Sequence, residues 1–382
     1  MKIKSLLLGS AAAMIAVSGA QAADAIVIEA EPMEYVKVCD MYGAGFFYIP
    51  GTETCINING YVRSTYIHGE ENYKYSYKAY LTSEGERTST TFSSRSKYTE
   101  NTSSWTVRGR LNFDVRNETE YGTLRSELRL QGGDADASGD QNVGIDRALI
   151  HLAGFRLGYS DTYWTTNHGY GAGSPAINDG FYNFGQAIFF DYTAKLMDGV
   201  SVTVGVQDSN GGSTGASSPD LYVGMNATFG SLTVAATALR DDLGSIDDGD
   251  EWAYKVSAIM GLGDSGWQVG GWYMKDDGGT QYVTGYRSTG IDQQWGVQVN
   301  GALSSNMSVY GLYSEAEGAA GGWDSTELTQ WAVGAVWAPV SGLTVQFEYS
   351  ANDEESRYSD LFNETKDTYD IDRFAIRVTR SF

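Results

Sequence analysis

Residue types on which enzymes and small secreted scaffolds depend are scarce in this sequence. Its 382 residues include two cysteines, three histidines and five prolines. Two cysteines are too few for a disulfide-dense scaffold. The histidines are accompanied by no nucleophile motif, zinc-ligand spacing or phosphate-binding loop. We therefore expect no enzymatic activity, no metal site and no cofactor.

Basic residues are scarce as well. Lys and Arg together number 26, against 48 Asp and Glu, and the formal net charge is −22. Proteins that bind nucleic acids carry a basic patch that neutralises phosphates. The sequence has no such patch, so we expect no nucleic-acid partner.

Long apolar runs are missing after the start of the chain. Residues 1–22 have the features of a secretory signal peptide: Lys2 and Lys4, a short apolar run over residues 6–17, and the small residues of Ala20-Gln21-Ala22. That run is shorter than the roughly 20 residues of a membrane-spanning helix. Export leads to an oxidising compartment, so we predict a disulfide between Cys39 and Cys55 within an N-terminal segment, residues 23–55.

Apolar and polar residues alternate through much of the remainder, residues 56–382. Between Ser104 and Leu130, one set of alternate residues is mostly apolar, beginning with Trp105 and Val107. A period of two indicates β-strands with one apolar and one polar face. The polar face of this predicted hairpin carries Arg108, Arg110, Arg116, Arg125 and Arg129.

Such strands fit two architectures. In a soluble sandwich the apolar face forms the core, whereas in a membrane barrel it faces lipid and the polar face lines a wet lumen. Tryptophans and tyrosines near the strand ends, such as Trp105, Trp252 and Trp337, match the aromatic girdles of a membrane barrel. The chain also ends in a strand whose last residue is Phe382. We predict an all-β fold, a transmembrane antiparallel β-barrel.

The connections predict the number of strands, because short and long ones alternate as in membrane barrels. Short connections are expected near residues 117–122, 153–154, 196–199, 229–230, 261–265, 302–306 and 338–341. Long polar loops are expected near residues 69–103, 133–142, 161–186, 209–219, 241–250, 277–290, 316–328 and 352–369. This pattern predicts about 16 strands, and a barrel of that size leaves an aqueous channel.

Three segments resemble one known family. They are "EYVKVCDMYGAGFFYIPGTETCINING" (residues 34–60), "RGRLNFDVRNETEYGTLR" (residues 108–125) and the terminal "FAIRVTRSF". All resemble the alphaproteobacterial porins of Brucella, Rhizobium and Bartonella relatives. The resemblance implies a trimeric barrel of sixteen strands in the outer membrane of a Gram-negative bacterium, through which small hydrophilic solutes diffuse passively.

The resemblance also implies that the third long loop, residues 161–186, folds into the barrel and narrows it. Carboxylates of this loop would then face the arginines across the channel. The expected pore constriction comprises Arg108, Arg110, Arg116, Arg125, Arg129, Asp161 and Asp179. The alternative is that the arginines form only a solvated wall that pairs with Asp114 and Glu127.

Further partners follow from the resemblance. We expect a homotrimer, contact with outer-membrane lipid and lipopolysaccharide, and a barrel-assembly machinery that recognises Phe382 as an assembly signal. Two alternatives to a general diffusion porin stay open. One is a substrate-selective channel on the same barrel, which a sugar-stacking aromatic track would favour. The other is a soluble secreted β-sheet binding protein.

Overall fold

Antiparallel strands make up nearly all of the structure. The computed structural model describes residues 37–133, 142–167, 176–177, 185–208, 219–241, 251–277, 282, 291–319 and 323–382. The strands are β1 (Phe46–Tyr48), β2 (Cys55–Ser83), β3 (Glu86–Thr119), β4 (Gly122–Gly132), β5 (Val143–Leu152), β6 (Phe155–Asp161), β7 (Gln186–Met197), β8 (Val200–Asp208), β9 (Asp220–Phe229), β10 (Leu232–Asp241), β11 (Glu251–Gly261), β12 (Trp267–Asp276), β13 (Ile291–Ser304), β14 (Met307–Gly318), β15 (Ser325–Val340), β16 (Leu343–Ser359) and β17 (Asn363–Ser381).

In the part of the chain that the structure describes, helices are few and short. One four-residue α-helix, Tyr163–Thr166, follows β6, and two three-residue 3-10 helices cover Asp40–Tyr42 and Gly263–Ser265. Among the described residues, no helix is long and apolar enough to cross a membrane.

The sheet closes on itself into a 16-stranded barrel, as predicted. Each strand from β2 to β17 pairs antiparallel with the next, and β17 returns to pair with β2 from Asn363 opposite Ala79 to Ser381 opposite Tyr61. The C-terminal Phe382 adds two further backbone hydrogen bonds, both with Gly60, of 3.0 and 3.1 Å. Closure therefore pairs the last strand, β17, with the first barrel strand, β2, which removes the free edges of an open sheet.

Side-chain exposure separates the two faces of the barrel strands. On β3, Trp105 is 68% exposed and Val107 is 43% exposed, whereas the intervening Thr106 and Arg108 are partly buried. The ten residue steps from Trp105 to Val115 span about 33 Å along the strand, or about 25 Å of height at the usual tilt. This matches the apolar band of an outer-membrane barrel, so the apolar face is the lipid face and the arginine face lines the lumen.

Two segments predicted as long loops are strands instead, so that part of the prediction was wrong. Residues 69–103 belong to β2 and β3, which stay paired up to the turn at Glu84 and Gly85. Residues 352–369 belong largely to β16 and β17, which are joined by a turn over residues 360–362. These four strands continue beyond the lipid-facing aromatic residues as one sheet. We call residues 70–101 and 351–372 the outer extension.

The turn at the tip of β16 and β17 is held by one carboxylate. Asp360 accepts hydrogen bonds from the Tyr358 hydroxyl at 2.7 Å and from the backbone N–H groups of Phe362 and Asn363 at 2.7 and 2.6 Å. The tyrosine hydrogen bond, followed by the backbone bonds, lowers the pKa of Asp360 to about 2. This turn therefore keeps its negative charge in acidic surroundings.

The N-terminal segment contains the predicted disulfide, Cys39–Cys55, whose Cα atoms lie 6.1 Å apart. Both cysteines pack with Phe46 in a small buried cluster, and β1 pairs with the first residues of β2. The guanidinium of Arg116 lies 4.9 Å from the centre of the Phe46 ring. The Tyr42 hydroxyl donates to Glu118 at 2.8 Å. Residues 38–55 of the segment therefore pack against the lumen face near the short turn between β3 and β4.

Candidate functional site: the lumen wall

All five predicted arginines lie on the lumen face of β3 and β4. Arg116 is paired in register with Arg125, and Arg108 lies opposite Arg63 of β2. The strand rise of about 3.3 Å per residue separates Arg110 from Arg116 by about 20 Å along β3. The arginines therefore form two groups at different heights rather than one ring.

The upper group surrounds Asp146 of β5. Its carboxylate lies 3.7 Å from Arg110 and 3.2 Å from Arg129. Arg110 also donates to Gln131 at 2.8 Å, and Arg129 donates to Asn112 at 3.0 Å. Side-chain hydrogen bonds thus hold both guanidinium groups against the wall.

The lower group lies close to the short turns. Asp114 accepts paired hydrogen bonds from Arg116, at 2.6 and 2.8 Å, and from Arg125, at 2.8 and 3.0 Å. Arg125 also contacts Glu127 at 2.7 Å. Since Arg116 stacks on the N-terminal segment as well, this group joins that segment to the barrel wall.

A β-bulge supplies two charged residues that the sequence reading missed. The pairing register between β4 and β5 shifts after Arg129, which leaves Asp146 outside the ladder. A bulge changes the direction of a side chain, so the consecutive residues Asp146 and Arg147 both contact lumen groups. Arg147 lies 3.2 Å from Glu127 and 3.8 Å from Asp161. Asp161, predicted at the constriction, is therefore close to the arginine wall at the start of the third loop.

The short helix of the third loop packs against the opposite wall, inside the barrel. Thr162 caps it by accepting a hydrogen bond from the backbone N–H of Thr165 at 3.2 Å. The Tyr163 ring stacks on Tyr222 with ring centres 5.1 Å apart. It fits only because residue 224 is glycine: a Cβ there would lie 2.1 Å from a Tyr163 ring carbon.

Lys255 of β11 fixes the same helix. Its ammonium group donates to the backbone carbonyl of Trp164 and lies 5.1 Å from the centre of the Trp164 indole. Trp164 is 1% exposed. A buried ammonium needs such compensation because desolvation disfavours its charge. The lysine thus acts as a positioning residue for the loop.

The loop reaches a third part of the wall. The backbone N–H of Ile177 donates to Glu348 of β16, and Ala176 packs in the same buried cluster as Tyr310. The described residues inside the loop therefore contact the lumen face from β9 to β16, across from the arginine wall. Asp161 and Gln186, at the two ends of the loop, lie beside that wall instead. Asp179 lies outside the described residues.

A chain of contacts links the loop to the arginine wall. Tyr222, which stacks on Tyr163, donates its hydroxyl hydrogen to Asp191 at 2.9 Å. Asp191, in turn, accepts from Arg156 of β6 at 2.9 and 2.5 Å. The sequence reading missed this pair, although Arg156 and Asp191 occupy the polar positions of alternating strands.

Comparisons with known proteins identify the family of the chain. Residues 24–375 match a family described as "Porin subfamily". Porin Omp2b of Brucella canis is 35% identical over 288 residues, which cover 69% of this chain and 71% of the relative.

Solved structures show the same fold. The outer membrane channel DcaP of Acinetobacter baumannii has a TM-score of 0.61 at 14% identity, covering 88% of this chain and 99% of its own. OmpT of Vibrio cholerae, in a trimer form, has a TM-score of 0.55 at 15% identity, covering 87% and 100%. With a closed barrel, a charged lumen and a family match over most of its length, the chain belongs to the porin subfamily and is an outer-membrane β-barrel porin of a Gram-negative bacterium.

Proposed function

We propose that the barrel is a general diffusion channel for small hydrophilic solutes and ions. One observation carries the proposal: the lumen face is lined by arginines and carboxylates on one side and by a docked loop on the other. Charged side chains keep a lumen wet, and sixteen strands leave room for water. Passage needs no conformational step because the strands themselves are the channel wall.

We propose that the third loop and the upper arginines form the narrowest part of this channel. Arg108, Arg110 and Arg129 supply positive charge. Asp161 lies beside Arg147 on the same wall and does not face the arginines across the channel, contrary to the expectation from the sequence. The opposing negative charge is proposed to come from Asp179 of the same loop. Opposed charges in a low-dielectric tube produce a field that acts on passing ions. Arg116 and Arg125 belong to the lumen wall about 20 Å nearer the short turns along the strand.

Planar bilayers test the channel directly. The purified protein should give conductance steps that rise in proportion to salt concentration, and sugars should enter liposomes at rates that fall smoothly with sugar size. A flux that saturates for one solute would favour a substrate-selective channel. Absence of conductance steps from folded protein would overturn the proposal.

We also propose the chain organisation that the sequence predicts: a signal peptide over residues 1–22, an N-terminal segment over residues 23–55, and the barrel over residues 56–382. We infer a homotrimer, since a structure with the same fold is described in a trimer form. Light scattering in detergent, corrected for bound detergent, should give three times the mass of one chain.

Phe382 is proposed as the signal for the assembly machinery. Its side chain is 59% exposed, so it contributes little packing to the finished barrel, while its backbone completes the β17–β2 pairing. Deleting Phe382 should therefore lower the amount of barrel in the outer membrane more than it lowers the thermal stability of refolded protein. Normal amounts in the membrane would contradict the proposal.

Lipopolysaccharide is proposed to contact the lipid side of the outer extension. A cleft of about 530 Å³ on these strands is lined by Lys74, Arg95, Lys97 and Lys366. Such a basic surface fits the phosphates of lipopolysaccharide. Arg95→Glu combined with Lys97→Glu should reduce the lipopolysaccharide that copurifies with the protein, as measured by mass spectrometry; an unchanged amount would contradict this contact.

A further inference from the structure

The lumen side of the outer extension carries a second cleft, of about 500 Å³. Three tyrosines from adjacent strands lie next to one another in register: Tyr369 of β17, Tyr73 of β2 and Tyr98 of β3. Trp323, just before β15, lines the same cleft. Four aromatic side chains therefore line one cleft in the vestibule, at the end of the barrel away from the short turns.

Carboxylates supply the charge of this cleft. Glu71, Glu354 and Asp367 line it, and no lysine or arginine is among the described lining residues. The Tyr369 hydroxyl donates to Glu71 at 2.6 Å, and the Tyr73 hydroxyl donates to Asp367 at 3.1 Å. These hydrogen bonds hold carboxylates beside the tyrosine rings, so the cleft combines negative charge with aromatic faces.

This combination selects among solute classes. An ammonium group gains charge-assisted hydrogen bonds from carboxylates and a cation–π interaction from a tyrosine ring. An anion is repelled by the three carboxylates. A neutral sugar can stack on the aromatic rings but gains no electrostatic attraction to the carboxylates. The volume lies within the range of small-molecule sites. We propose that the cleft binds small organic cations that carry two or more ammonium groups.

The position of the cleft determines what such binding does to flow. From Tyr98 to Arg108 is about 33 Å along β3, so a cation in the cleft next meets the arginine wall. The arginines oppose further movement of a polyvalent cation, which therefore stays in the vestibule and reduces the ion current. This consequence rests on the proposed channel function, whereas binding itself does not.

The two faces of the outer extension provide a matched pair of variants. Glu354→Gln with Asp367→Asn removes two negative charges from the cleft, on β16 and β17. Asp353→Asn with Asp370→Asn removes two negative charges from the same two strands. These two residues are paired with each other between β16 and β17, and their side chains lie on the lipid side of the sheet. Both variants change the net charge equally, so they separate contact in the cleft from the long-range field.

Spermidine, a triamine, is the probe. Calorimetry of the purified protein in detergent should show spermidine binding, weakened about tenfold in the cleft variant, since each partly exposed charge contact contributes a few-fold. The lipid-side variant should bind within about twofold of wild type, because its charges face away from the cleft. Tyr98→Leu should weaken binding about two- to fivefold through the lost ring, and Tyr98 is 57% exposed, so folding is unaffected.

Several results would overturn the assignment. Equal loss of binding in the two charge variants would show a general field effect. Maltotriose binding as tightly as spermidine would show a sugar site, and unchanged spermidine binding in the cleft variant would show a site elsewhere. Single-channel block by spermidine from the vestibule side then tests the effect on flow. Binding without conductance steps would contradict the channel function but support the cleft.

Discussion

The two sides of the lumen wall are built differently. On β3 to β6 the lumen face carries arginines paired with carboxylates of neighbouring strands, as in Arg110, Arg129 and Asp146. On β9 to β11 it carries small residues such as Gly224 and Ala253, under the loop helix. One side presents charge to water, and the other is covered by packed aromatic side chains.

The difference separates two properties of a channel. The side chains of β3 to β6 determine the electrostatic potential, because their charges remain in the lumen. The packing of the loop on β9 to β11 determines how much of the cross-section stays open. Changes on the two sides should therefore affect conductance and selectivity to different extents.

The largest change in single-channel conductance is expected from Gly224→Val. A side chain at residue 224 occupies the position of the Tyr163 ring, so the two side chains clash. If the loop helix leaves the wall, the open cross-section of the channel changes and the conductance changes with it. If the helix stays, overpacking destabilises the barrel by about 1–3 kcal/mol. Gly109→Val is the control, since a Cβ at residue 109 meets no atom within 4 Å. Conductance and thermal stability both equal to wild type would show that the loop does not depend on this contact.

A smaller change in conductance, with a larger change in selectivity, is expected from Arg110→Ala combined with Arg129→Ala. The passage widens and Asp146 loses both arginines, so selectivity shifts toward cations. The shift should be greatest at low salt, since the Debye length is about 30 Å at 0.01 M and about 3 Å at 1 M. Asp146→Asn should shift selectivity toward anions. Reversal potentials under a salt gradient measure both, and unchanged values at low salt would refute the constriction role.

Arg116→Ala should change conductance and reversal potential less than the double variant does. Arg116 lies about 20 Å from Arg110 along β3 and contacts Asp114 and the ring of Phe46. Its loss should lower stability by about 1 kcal/mol through the cation–π contact and ion pair. A reversal potential shifted as far as in the double variant would place Arg116 at the narrowest point.

The smallest change in conductance is expected from Cys39→Ser combined with Cys55→Ser. The disulfide closes a loop of 15 intervening residues, which contributes about 3 kcal/mol in the chain-entropy account. On a gel, the fast-migrating band of the folded barrel should disappear at a lower temperature in the variant than in wild type. The single-channel conductance of the variant should equal that of wild type. Thiol labelling of denatured, unreduced wild type should find no free cysteine. A large change in conductance would place the N-terminal segment in the ion path.

Alternation along the strands made the barrel predictable. Alternation with a period of two assigns each side chain to one face of the sheet independently of its tertiary contacts. The arginines of β3 and β4 could therefore be placed in the lumen from the sequence. The same argument failed for residues 69–103. Beyond the membrane both faces of a strand contact water, so the alternation of apolar residues disappears although the ladder of backbone hydrogen bonds continues.

Asp146 and Lys255 show what alternation could not supply. Asp146 reaches Arg110 and Arg129 only because the ladder shifts by one residue, and such a shift depends on the neighbouring strand. Lys255 meets Trp164 across 91 residues of sequence. Long-range contacts of this kind follow from closure of the barrel and from the path of the loop, neither of which leaves a local pattern.

The sequence by itself determined that the chain is exported and that it forms about 16 amphipathic strands. It also determined that the arginines share a face and that the two cysteines pair. These properties depend on local spacing and composition. Only the tertiary structure decided which carboxylate meets which arginine, that Gly224 accepts the Tyr163 ring, and that tyrosines from β2, β3 and β17 meet in one cleft. These properties depend on register between strands, and a shift of one residue would turn each side chain to the opposite face.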